Sequence, residues 1–141
     1  MTGINVLRAY LGKQEVRDRK ELMNLFKSEA INNDIVVDPS KTPWCAAIVN
    51  ACERKAGNPG TGRLNAKSFL KYGQEVADGD EKEGDIIVFE RGSNSWEGHV
   101  AYFIGWDDST NTVKHIGGNQ SDAVTYSRTS QDRVVGIRRF I

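Results

Sequence analysis

Thiol chemistry needs a sulfur and a base, and the chain has two cysteines and two histidines to supply them. Cys45 opens the segment CAAIVNACERKAG, which reads as a helix, so its sulfur belongs to the first turn. Free N–H groups and the helix dipole at that end favour a thiolate, the form that attacks a carbonyl. The competing reading is a small buried thiol, and Cys52, deeper in the same helix, is expected to be one. The two sulfurs would lie about 10 Å apart along the helix axis, which excludes a strain-free disulfide between them.

His99 follows the polar stretch RGSNSWEG and opens a strand, a placement at a sheet edge beside a cleft that suits a general base. His115, within TVKHIGGNQ, becomes its neighbour if the two strands form a hairpin; otherwise it is a half-satisfied strand histidine. Asn119 follows Gly117 and Gly118, where the backbone can turn and present an amide to a histidine. Such an amide holds the ring in one tautomer, as a carboxylate would, without adding charge. Gln120 and Asp122 compete for the same role. No metal and no cofactor is expected: the histidines and cysteines match neither HExxH nor structural-zinc spacing, and GTGRLNA lacks the Walker lysine.

These groups need a scaffold. Ile4, Leu7, Tyr10 and Leu11, then Leu22, Leu25, Phe26, Ala30 and Ile31, repeat at helical spacing and predict two helices split near Gly12. INNDIVVDPSKT reads as a connecting loop. Thr42 as N-cap, Pro43 as first helical residue and Gly57 as stop bound a helix of about four turns. It turns Ala46, Val49 and Cys52 inward and Asn50, Glu53, Arg54 and Lys55 toward water. A shorter helix, RLNAKSFLKYG, ends at Gly73. Five strands follow: IIVF, HVAYFIGW, TVKHIGG, AVTYS and VVGIRRF, with DDSTN as a hairpin turn. Helices first and sequential strands afterwards predict an α+β domain around an antiparallel sheet.

The chain has 141 residues, with 19 Lys plus Arg against 19 Asp plus Glu, so charge gives no reason to expect a nucleic-acid partner. That length fits one domain over 1–141, with little room for separate cofactor and substrate domains. No apolar run of about eighteen residues and no secretory signal is legible, so synthesis in a cytoplasm without membrane insertion is expected.

PWCAAIVNACERKAG, GTGRLNAKSFLKYG, GDIIVF, GHVAYFIG and GGNQSDAV, in that order, resemble phage and prophage cell-wall hydrolases related to the CHAP and NlpC/P60 peptidases. The likeness runs from Thr42 to Arg139. It implies a compact papain-like fold and an endolysin-type enzyme that cleaves an amide in the peptide of peptidoglycan through a thioester. Cys45 then matches the nucleophile, His99 the base and Asn119 the orienting residue. His115 is the alternative third member, as in the NlpC/P60 branch. CHAP enzymes commonly place a Glu and an Asn near the end of the following strand, and here no Glu occupies that neighbourhood. Trp44 and Trp96, which flank the pair in sequence, and Gln14 and Glu15 are candidates to line the groove. An N-acetylmuramoyl-L-alanine amidase, a delivered antibacterial toxin and an inactive wall-binding phage module remain open alternatives. The resemblance further implies a monomer that reaches the wall with a partner such as a holin.

Overall fold

Alternating residues of the strands divide between two apolar layers, and that division sets where each site residue points. The structure, a computed structural model, describes residues 2–27, 37–92 and 97–140. Helices α1 (Gly3–Arg8), α2 (Arg19–Leu25) and α3 (Cys45–Lys55) come first, then a 3-10 helix at Ala66–Lys71. Strands β1 (Gln74–Glu75), β2 (Ile86–Glu90), β3 (Gly98–Asp107), β4 (Thr112–Gln120), β5 (Ala123–Ser130) and β6 (Val134–Arg139) follow. They form one antiparallel sheet in the order β1-β6-β2-β3-β4-β5. The α+β class and the antiparallel sheet are as the sequence predicts. The sheet has six strands among the described residues, because the two-residue β1 carries no periodicity to read.

Val88, Val100, Tyr102 and Ile116 pack with α1, α2 and α3 in the main core, whereas Ile87, Phe89, Ala101, Phe103, Val113 and Ile137 form a second cluster. Successive residues of a strand face opposite sides, so β3 carries both layers at once.

Helix α3 begins later than its sequence suggests. Thr42 and Lys41 donate backbone N–H groups to the Asp38 carbonyl in a turn, and Asp38 itself is gripped by Arg19 and Ser40. Thr42 and Pro43 therefore precede the helix; Trp44 is its N-cap position and Cys45 its first residue. The helix has 11 residues, nearer three turns than four. Gly57, with φ +93°, ends it as expected. Two residues assigned to its wetter side are in fact buried. Asn50 is fully enclosed, and Glu53 accepts from Tyr102 Oη (2.6 Å), Tyr72 Oη (3.1 Å) and Asn58 Nδ2 (3.2 Å). Each is buried because it is hydrogen-bonded, which helical periodicity does not report. Cys52 is a core thiol with no exposure, as expected.

The first two helices do separate around Gly12, whose φ is +88°. Ala30, Ile31 and the rest of the loop before Val37 lie outside the described residues.

Candidate active site

Cys45 stands at the one end of α3 where backbone N–H groups lack helical acceptors. The first bond of the helix runs from Ile48 N–H to Trp44 O. The buried thiol is pushed above its ordinary range by desolvation, opposed by the N–H of Val100, by Arg91 and by the N–H groups of Ala46 and Cys45 itself. Contact with the Val100 N–H places the sulfur against the start of β3, one peptide unit from His99. β3 and β4 have lost their pairing there: their register runs from Asp107 only as far as Tyr102 opposite Ile116.

His99 lies on an interior strand, not at a sheet edge, and is 3% exposed. Its ring faces the layer opposite α3, stacked on Phe89 at 6.1 Å between centroids. Its Nε2 meets Gln120 Oε1 at 2.8 Å. The Gln120 amide has a fixed sense, because its Nε2 donates to the Thr125 carbonyl at 2.6 Å. Oε1 must then accept from His99, which puts the imidazole proton on Nε2 and the lone pair on Nδ1. That Nδ1 is buried without a hydrogen-bond partner. Burial holds the ring's pKa down to about 3, opposed by the Gln120 bond and reinforced by Arg91 and His115. At neutral pH the site therefore rests as a thiol and a neutral imidazole, with no hydrogen bond between them.

The structure brings Gln120, not Asn119, to His99. Strand alternation would put Asn119 on the face of Gly117 and His115, but β4 carries a bulge: Gly117 pairs with Thr125 and Gln120 with Ala123. One extra residue reverses the parity. Asn119 takes up the bulge with φ +57°, and its side chain makes no hydrogen bond to either histidine among the described residues. Gly117 leaves room for the amide, since a Cβ there would meet Gln120 Oε1 at 3.0 Å and Ala101 Cβ at 2.9 Å. The double glycine was the signal for this bulge. Which residue after it would turn inward depends on the register, which the sequence does not display.

His115 is 1% exposed and bonded through Nε2 to Thr129 Oγ1 (2.8 Å), and burial lowers its pKa to about 4. Its ring is 5.8 Å from that of His99, too far for the hydrogen bond an orienting third member would make. The groove expectation fails for Trp44, which is wholly buried against Phe26 and donates its indole N–H to Glu15 Oε1 at 3.1 Å. Glu15 thus ties the N-terminal segment to the residue before Cys45. Gln14 is exposed and bridges to Ala123 at the start of β5. Trp96 lies outside the described residues. A cavity of about 210 Å³ reaches His99 between Phe89, Arg91, Thr129 and Arg133.

A first-turn cysteine on α3 beside the start of a histidine-bearing strand is an arrangement for thiol hydrolysis. The sequence matches the CHAP domain family over residues 37–119, more than half of the chain and a span that contains Cys45 and His99. The chain belongs to the CHAP family. It is accordingly a cysteine-type hydrolase acting on peptidoglycan-type substrates. Comparison with curated proteins gave no match. The CHAP match stops one residue short of Gln120. Among the described residues no helix is long and apolar enough to cross a membrane, and no three His, Cys, Asp or Glu side chains cluster as metal ligands.

Proposed function

We propose that this CHAP enzyme is an endolysin-type peptidase that cleaves an amide of the peptidoglycan stem peptide, with Cys45 as nucleophile, His99 as base and Gln120 as positioning residue. The observation that carries the reading is the meeting of the Cys45 sulfur with the Val100 N–H, one residue from a His99 whose fixed tautomer leaves Nδ1 unpartnered. From this resting state, in which no hydrogen bond joins them, catalysis requires the Cys45 sulfur and His99 Nδ1 to come together. Nδ1 takes the thiol proton as sulfur attacks the carbonyl carbon, and N–H groups at the start of α3 hold the oxyanion. Imidazolium then protonates the departing amine and the C–N bond breaks, leaving a thioester. Water, deprotonated by Nδ1, attacks the thioester; the acid product leaves and the thiol is restored.

The same reading has a single catalytic domain over residues 1–141, acting as a monomer, with access to the wall given by a partner such as a holin. Digestion of purified walls followed by mass analysis of the muropeptides tests the scissile bond. A new free amine on a stem residue is the expected product. Separation of intact stem peptide from glycan would instead assign an N-acetylmuramoyl-L-alanine amidase and overturn the peptidase reading.

A further inference from the structure

A cavity of about 520 Å³, larger than the one at His99, opens on the α3 side of the sheet. Its lining includes Thr61, Arg63, Asn65, Lys67, Ser68 and Lys71: three cations, two hydroxyls and an amide, with no carboxylate among the described residues that form it. In a chain of zero formal charge this is a local segregation of positive charge, and a concave cationic surface concentrates anions.

The cavity is built rather than left over. Fully buried Asn50, on α3, donates through Nδ2 to the Ala46 carbonyl (3.0 Å) and the Arg63 carbonyl (2.9 Å). Its Oδ1 accepts from the N–H groups of Thr61 (2.6 Å) and Gly62 (3.1 Å). One side chain thus fixes the wall of the cavity to the residue that follows Cys45. Ser68 Oγ bonds Thr61 Oγ1 at 2.8 Å and joins the loop to the 3-10 helix. On the other side, the Lys67 stem covers Gly98: a Cβ there would lie 3.2 Å from Lys67 Cγ and 3.5 Å from Cε. The cavity is thus tied to a sequence neighbour of each residue proposed for catalysis: its loop, through Asn50, to the Ala46 carbonyl, and Lys67 to Gly98.

We infer that this cavity is an anion subsite, holding a free carboxylate of the peptide strand while the neighbouring amide lies at Cys45. The inference rests on the peptidase reading and adds a substrate class to it: acidic stem peptides with an unamidated carboxylate near the scissile bond. Arg63 can take a carboxylate through two parallel N–H bonds, with Lys67 and Lys71 as point charges.

The test uses two muropeptides identical except that one free carboxylate is a primary amide in the second. Wild type should show a KM about tenfold lower for the carboxylate form, and the Lys67→Met, Lys71→Met double variant, with Arg63 left in place, should cut that ratio severalfold. Equal KM values for the pair in wild type, or an undiminished ratio in the folded double variant, would overturn the subsite. Calorimetric binding of the same pair to Cys45→Ala, with and without the lysine changes, asks the question without turnover. If wild type cleaves neither peptide but Cys45→Ala still prefers the acid tenfold, the subsite stands and the peptidase reading fails. Teichoic acid and inorganic phosphate form the other arm. Tight competition by the phosphate polymer, with no preference between the two peptides, would reassign the cavity to phosphate and overturn the carboxylate proposal.

Discussion

The buried, unpartnered Nδ1 of His99 costs free energy that an ordinary core residue would avoid, and a base awaiting the thiol proton accounts for it. His115 shares the orphaned Nδ1, but it lies one strand farther from the Val100 N–H that touches Cys45. Gln120→Leu removes the acceptor that fixes the His99 tautomer. It should lower kcat by roughly 10²-fold, the lower end of what a well-placed general base contributes, with much less change in KM. Asn119→Ala should fall within about threefold of wild type; the reverse order would return the positioning role to Asn119. Because His99 titrates near pH 3, protonation of the base should not limit turnover until the solution is far more acid than its ordinary 6.5. The acid limb of kcat/KM, measured where circular dichroism shows the fold intact, should therefore be absent between pH 7 and pH 5. An inflection near 6.5 would contradict the buried neutral base.

Between β4 and α3 the packing leaves no room for a side chain at one of the two glycines. A Cβ at Gly118 would stand 2.6 Å from the Trp44 ring and 2.7 Å from Ile48 Cγ2, both fully buried. Gly118→Ala should destabilise the fold by about 1–3 kcal/mol, as overpacking does, read as a lower midpoint in urea; an unchanged midpoint would show that the bulge can shift. Much at this scale was legible in the sequence. The run from Ile86 to Phe89, the DDSTN turn and the Gly57 stop are local signals, and the structure has each of them. The start of α3 was not, because Asp38 holds Thr42 in a turn through its contact with distant Arg19. The same is true of Gln120, whose direction depends on pairing with β5, and of Trp44, whose burial depends on Glu15, 29 residues away. Residue types announced the chemistry, while long-range contacts decided which polar group serves it.

For the molecule as a whole, the two buried histidines make stability depend on pH with a definite sign. Their folded pKa values, about 3 for His99 and about 4 for His115, lie below the ordinary 6.5, so between those limits the unfolded chain binds more protons. Their contribution is complete above about pH 6.5 and is lost as pH falls through the folded values. Unfolding free energy should decline by on the order of a few kcal/mol from pH 7 to pH 4, and the His99→Phe, His115→Phe double variant should lose most of that slope. Zero formal charge also withholds global attraction to an anionic wall, leaving recognition to local features such as the Arg63–Lys67–Lys71 cavity. The account stands or falls on Cys45 as the attacking group. The direct measurement is release of new amino termini from purified walls by wild type and by Cys45→Ala, with folding and wall binding verified for both. Wild type should release them steadily and the variant at less than about 10⁻³ of that rate; comparable release by the folded variant would contradict the mechanism.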